Sequence, residues 1–449
     1  MKGFLTNNFI KMSFKQKLVY IKLWVERFVE YFIQNQIETP DISGSISNQI
    51  FIYQGDIKST RDFIVSSVVR NSGSIIAARC GGKVVEIKDG IETELLFVEG
   101  STDWRGLWKD SKGNIFISPH STPILGTVKV EDRGIYKLSS VSSRFVKVLD
   151  FYNPKSEIKS ETIFNDDTVW TFCEDDTGAI YAGIYAHTVR NNPAIYKSVN
   201  NGDSWERIYN FNESGLTQNA RHIHSIVYSK TDSSLYALVG EINNLYKSND
   251  GGYTWSALNI KTELAKGCTM LPVEDGIVIG SDSAYDCVMS KYYFKSKSVK
   301  TKSRSFGETI FSIRQSDKTG WIYAFGKVDN AVKLPTYYPP LNAENDIVLF
   351  KQWKKQYPIA YINWYFYHKR MIAKYPDDAF LPQHCAVLLS KDNGETWSII
   401  KKVKTSSLGP NGFWTTGFFY EGKCLTGFVD GTIKYSNPFI IQEIYANIK

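Results

Sequence analysis

The chain has 449 residues, of which 43% are hydrophobic, 22% charged and 14% aromatic, a balance that excludes a disordered, collagen-like or coiled-coil protein. Its formal charge of +7 is a mild excess, compatible with an anionic ligand or membrane surface and too weak to indicate nucleic acid. Six cysteines, at 80, 173, 268, 287, 385 and 424, include no Cys-x-x-Cys pair, which argues against a zinc ribbon or a dense disulfide framework and leaves reduced, mostly buried thiols as the expectation.

The N-terminal segment MKGFLTNNFIKMSFKQK has no uninterrupted apolar core and no small-residue cleavage site, so no secretory signal is expected. No run of about 18 apolar residues occurs, so no spanning helix is expected either, and the compartment is read as cytoplasmic. Residues 14–36 carry Leu18, Ile21, Trp24, Val25, Phe28, Val29 and Phe32 at three- and four-residue spacing, which predicts an amphipathic helix. Lys15, Lys17, Lys22, Glu26, Arg27 and Glu30 interrupt it, so it either packs on the body of the protein or makes peripheral contact with a membrane. Residues 37–48 read as a linker, making 1–48 a helical arm and 49–449 the main domain.

From residue 49 the texture changes to short apolar runs punctuated by Gly, Asn and Asp, the pattern of many short antiparallel strands. Three segments repeat: SVNNGDSW at 198–205, SNDGGYTW at 248–255 and SKDNGETW at 390–397, each preceded and followed by an apolar strand. Asp250, Asp392 and Asn200 are suited to accept hydrogen bonds from turn amides, Gly202, Gly252 and Gly394 to permit the tight backbone, and Trp205, Trp255 and Trp397 to plug apolar space beside the next sheet. These residues resemble the Asp-box, or BNR repeat, of the sialidase superfamily, which implies an all-β fold, a β-propeller in which each box joins the third and fourth strands of a blade. Degenerate units at 62–99, 104–150, 267–305 and 412–445 then bring the expected count to seven blades, with six as the alternative, and residues 49–53 are expected to join the last blade and close the ring. Residues 327–384 form an insertion in the sixth unit that carries an aromatic, partly helical stretch, expected to be a lid or a docking surface. The basic run KYYFKSKSVKTKSRSF at 291–306 reads as an edge strand whose lysines face water.

In a propeller, the ends of the inner strands and the loops joining second to third strands converge on one face, opposite the Asp-box turns. That placement selects Arg79, Arg105, His120, Tyr185, His187, Arg190, Arg221, His222, His224, Glu241 and Asp282. Histidines there supply acid, base or positive charge near neutrality, and arginines hold carboxylate, sulfate or phosphate. The sialidase resemblance implies three arginines on a substrate carboxylate, for which Arg79, Arg105 and Arg221 stand, and a Tyr–Glu nucleophile pair, for which Tyr185 and Glu241 stand. Tyr185, His187, His224 and Glu241 are thus the expected catalytic residues. Arg79, Arg105, His120, Arg190, Arg221, His222 and Asp282 are the expected substrate contacts. No cofactor is required, although His120, His187, His222 and His224 are a donor set a divalent metal would accept. The function expected first is a glycoside hydrolase acting on an acidic oligo- or polysaccharide. The alternatives are a uronate polysaccharide lyase using His and Tyr, and a non-catalytic propeller that binds a glycan or protein.

Overall fold

The protein is described by a computed structural model. It describes residues 50–54; 64–328 except 80, 102–103, 105, 121–127, 152–167, 187–191, 219, 241–243, 259, 261–266, 282–286 and 306–308; 351 and 355; 384–404; and 411–413, 423–426, 428–429 and 439–443. The chain divides into two compact units, one of residues 1–44 and 332–381, the other of Ser45–Ala331 and Pro382–Lys449, and every strand among the described residues belongs to the second. The helical arm expected at 14–36, and all but two residues of the expected helical stretch of the insertion, lie outside the described residues.

The second unit is a six-bladed β-propeller built from six consecutive antiparallel sheets. Blade 1 has strands Ile64–Val69, Ile75–Arg79, Lys83–Lys88 and Ile91–Phe97; blade 2 has Trp108–Lys109, Ile115–Ile117, Gly134–Leu138 and Val146–Asp150. Blade 3 has Thr168–Glu174, Ile180–Tyr185, Ala194–Ser198 and Glu206–Asn210; blade 4 has Ile223–Ser229, Ser234–Val239, Asn244–Ser248 and Ser256–Ala257. Blade 5 has Gly267–Val273, Gly276–Ser281, Cys287–Tyr293 and Ser298–Ser305; blade 6 has Thr309–Gln315, Ile322–Val328, His384–Ser390 and Ser398–Lys404.

The seven-blade expectation is corrected to six, because the segment 412–445 does not form a four-stranded sheet of its own. Asn411–Phe413 and Phe428–Val429 add to the sixth sheet, while Lys423–Thr426 and Phe439–Glu443 form a three-stranded sheet with Ile50–Gln54. The N-terminal strand, expected to join the last blade, pairs instead within this separate sheet: Ile50 pairs with Glu443 and Gln54 with Phe439, which gives both terminal strands a hydrogen-bonded neighbour.

The strands of a blade are covered on both faces, so they read as continuous apolar runs rather than as an apolar/polar alternation. Ser234–Val239 shows the consequence. Leu235, Ala237 and Val239 pack toward blade 3 with Ile195, Phe211 and Trp255, while Tyr236 and Leu238 pack toward blade 5 with Met270, Ile277 and Ile279. Every gap between consecutive blades from 1 to 6 holds a cluster of this kind.

The three repeated turns join third to fourth strands as expected. The Ser hydroxyl that opens each box accepts from the box glycine amide, at 2.9 Å for Ser198–Gly202, 2.9 Å for Ser248–Gly252 and 2.8 Å for Ser390–Gly394. Asp250 and Asp392 accept from the threonine hydroxyl and amide that close the turn. These donors outweigh the burial that alone would raise it and hold Asp250 down to about 2. Each Trp indole donates to its box glycine carbonyl, at 3.1, 2.9 and 3.2 Å. The tryptophans enter the gap toward the preceding blade, not the next one: Trp205 meets Phe116 of blade 2, Trp255 meets Phe211 of blade 3, and Trp397 packs with Val278 and Met289 of blade 5.

The basic run is corrected in part, since Ser298–Ser305 is an edge strand of its sheet as expected. The run is a hairpin made of the end of the third strand and the whole fourth strand of blade 5, with Lys297 in the turn at a φ of 51°. Lys291 does not face water; it is fully buried and bonded to Asp275, Glu395 and the Asn393 carbonyl.

Candidate functional site

In five blades the first residue of the innermost strand pairs at or next to the end of its neighbour: Ile64 with Arg79, Thr168 with Tyr185, Ile223 with Val239, Gly267 with Ser281 and Thr309 with Lys327. The described candidate residues of different blades therefore sit at one end of the sheets, opposite the box turns. In these five blades the ladder also slips by one residue right after its first or second pair, at 65, 170, 224, 268 and 311. Such a bulge re-aims the inserted side chain and bends the strand. Trp170, His224 and Cys268 occupy this same position in blades 3, 4 and 5.

Around them the structure brings together His120, Tyr185, His222 and His224, from blades 2, 3 and 4. Tyr185 lies flat between Trp170, whose ring centroid is 3.4 Å away, and His222, at 3.9 Å. His120 stands edge-on to both Trp170 and Tyr185, at 6.0 and 6.2 Å. His222 and His224 place their Nε2 atoms 2.8 Å apart. Their Nδ1 atoms bond to main-chain carbonyls of the flanking blades, His222 to Ala186 at 2.7 Å and His224 to Gly267 at 2.8 Å. All four residues are buried: His120 is 3% exposed, Tyr185 8%, His222 2% and His224 8%.

The backbone supporting this cluster is stitched between blades. Ser101 both donates to the His120 carbonyl and accepts its amide, at 3.2 and 3.3 Å. Thr168 donates to the Pro119 carbonyl at 3.1 Å, and Ser118 accepts the Val169 amide at 3.1 Å. Cys268 donates its thiol to the Ile310 carbonyl of blade 6 at 2.8 Å, the same inter-blade bond that His224 makes one blade earlier.

The remaining candidates divide. Arg79 ends its strand at the expected place, yet its guanidinium is paired with Glu92 on the fourth strand of its own blade, and its carbonyl accepts the Trp104 indole at 3.0 Å. Arg221 is half-buried immediately before His222, and its carbonyl accepts the Asn192 amide at 3.0 Å. Arg105, His187, Arg190, Glu241 and Asp282 lie outside the described residues. Among the described residues no group of three or more His, Cys, Asp or Glu side chains is placed to hold a metal ion. Trp170, which stacks on Tyr185, and Cys268, at the same bulge position two blades on, were not among the sequence candidates, because a bulge has no signature in composition or spacing.

No protein-family model matches the chain. No curated protein matches it either. Among solved structures, it is similar to the extracellular domain of the putative hybrid two component system BT4673 from B. thetaiotaomicron, at 12% identity and a TM-score of 0.52, over 90% of this chain and 40% of that one. It therefore spans about two fifths of that structure. It is also similar to a catalytically inactive virginiamycin B lyase from Staphylococcus aureus solved with quinupristin, at 9% identity and a TM-score of 0.51, over 88% of this chain and 100% of that one. A streptogramin B lyase structure matches at 10% identity and a TM-score of 0.50, over 88% of this chain and 98% of that one. At such identities the likeness is one of fold, and a propeller fold hosts many unrelated functions. The resemblance to the sialidase superfamily rests on the three boxes alone.

Proposed function

We propose that this propeller binds an acidic oligo- or polysaccharide at the end of the blades where His120, Tyr185, His222 and His224 converge, and that it does so without turnover. The observation that carries this reading is the convergence itself: imidazoles and stacked aromatic rings from three adjacent blades, the mixture that suits a sugar ring bearing negative charge. Glycoside hydrolysis of the sialidase type is less well supported. Arg79, needed for a three-arginine clamp, is engaged by Glu92 on its own sheet. The ring nitrogens of His222 and His224 are engaged by main-chain carbonyls and by each other.

The test is calorimetric titration of the full chain with acidic and neutral oligosaccharides, run beside assays for new reducing ends and for ultraviolet-absorbing unsaturated uronates. Expected are binding of the acidic series only, a fall in affinity as salt is raised, at least a tenfold weakening in His222→Ala and no product in either assay. Equal affinity for neutral and acidic sugars would overturn the ligand class, and either product would overturn the absence of turnover.

A further inference from the structure

The hydrogen bonds of His222 and His224 fix a proton count. A carbonyl oxygen only accepts, so the Nδ1 atom facing Ala186 and the Nδ1 atom facing Gly267 both carry hydrogen. A neutral imidazole has one N–H, which would leave both Nε2 atoms as bare lone pairs pointing at each other across 2.8 Å. That contact is a hydrogen bond only if one further proton lies in it. We propose that His222 and His224 form a proton-bound imidazole pair, with three protons on four nitrogens and one positive charge shared between two rings of blade 4.

The surroundings fit such a pair. Gly240 covers the contact: a Cβ built on it would lie 2.6 Å from Nε2 of His222 and 2.8 Å from Nε2 of His224, so only a glycine lets the backbone lie against both nitrogens. The Gly240 amide donates to the His222 carbonyl at 2.8 Å, which holds that cover in place. Tyr185 presents its ring face to His222 at 3.9 Å and to His224 at 6.1 Å, an arrangement in which a π cloud offsets part of the charge. The bonds run unbroken from the Ala186 carbonyl of blade 3, through both rings, to the Gly267 carbonyl of blade 5, so one proton completes a tie across three blades. A second added proton would set two N–H groups against each other, and loss of the shared one would set two lone pairs against each other.

Among the described residues, Tyr185 of blade 3 is in ring contact with the pair, Arg221 precedes it in the chain, His120 lies beyond Tyr185, and Cys268 follows the Gly267 whose carbonyl His224 meets. The pair extends the proposed acidic-glycan reading by naming its source of positive charge, and its test uses no glycan.

The experiment is nitrogen-15 and proton magnetic resonance of the full chain, labelled at histidine, near neutral pH. Expected is one strongly deshielded, exchange-protected proton, with both Nε2 resonances midway between the bare and protonated positions and both Nδ1 resonances protonated. Gly240→Ala, which leaves both histidines in the chain but wedges a methyl against the contact, should abolish that proton, as should His222→Phe. Two bare Nε2 atoms, or two independently protonated rings, in the unaltered chain would overturn the pair whatever the variants do. If the pair is found and acidic sugars do not bind, the functional reading fails and the proton count stands.

Discussion

Gly202→Ala should lower the stability of the propeller by about 3 kcal/mol, whereas Gly90→Ala should cost about 1 kcal/mol. Both glycines have positive φ, +81° and +78°, so alanine pays a similar backbone penalty at each. They differ in what a methyl group would meet. At Gly90 nothing lies within 4 Å, while at Gly202 the new Cβ would fall 2.1 Å from Cε1 of Phe116. Phe116 is fully buried among Trp108, Phe172 and Trp205, so it has no direction in which to yield cheaply. The other boxes repeat the arrangement: Gly252 would meet Ile208 of blade 3 at 2.7 Å, and Gly394 would meet Val278 of blade 5 at 2.5 Å. The box glycine is thus the point where each turn is pressed against the preceding blade, and its conformational freedom is only half of the reason it is there. Urea unfolding of the two variants separates the halves. Equal losses at Gly90 and Gly202 would show that the contact with Phe116 contributes nothing.

This contact also explains how much of the fold was legible. A sequence shows the glycine, serine and tryptophan of the box because the turn needs those residue types at fixed offsets, and it shows the strands because burial on both faces produces runs such as Leu235-Tyr-Ala-Leu-Val239. It does not show which sheet the tryptophan faces, since that depends on the rotation between neighbouring blades. The blade count failed for a related reason. The segment from 411 onward has the composition of another blade, but its strands divide between the sixth sheet and a sheet with Ile50–Gln54, and strand pairing between distant segments leaves no local trace. At the candidate site, His120, Tyr185, His222 and His224 could be found because strand ends and starts can be counted. Trp170 and Cys268 could not, because their positions are set by a one-residue slip in the ladder.

Lys291→Met should be the costliest substitution of a charged residue, a loss of roughly 2–3 kcal/mol near neutral pH. The lysine leaves the third strand of blade 5 fully buried, with its ammonium 2.7 Å from Asp275, 2.8 Å from Glu395 and 2.9 Å from the Asn393 carbonyl. Burial works against its charge, and Asp275 and Glu395 outweigh that and raise its pKa. Asn393 and Glu395 belong to the third box, so this one side chain ties blade 5 to the turn of blade 6. The same tie recurs where Lys137 of blade 2 reaches Asp203 in the first box, at 2.6 Å, and where Lys197 of blade 3 reaches the Gly251 carbonyl in the second, at 3.4 Å. Methionine keeps the volume of the stem and removes the charge, which leaves both carboxylates short of a partner. Their partial exposure lets water restore some of the loss, which is why the figure lies below that for a wholly buried pair. The sign with pH follows from Glu395. Burial would raise it, but Lys291, Lys302 and Tyr293 together hold it down to about 2 from an ordinary 4.5. A carboxylate depressed in the folded state contributes stability above its unfolded value, and that contribution drains away as the pH falls from about 4.5 towards about 2. With more than a third of the Glu395 side chain exposed, solvent screening keeps its share to roughly 1–2 kcal/mol. Lys291→Met retains only the bonds from Lys302 and Tyr293, so its deficit relative to the unaltered chain should shrink between neutral pH and about pH 3. Thermal unfolding at the two pH values measures this, and a deficit that stays constant would mean that Lys291 acts through packing alone and not through Glu395.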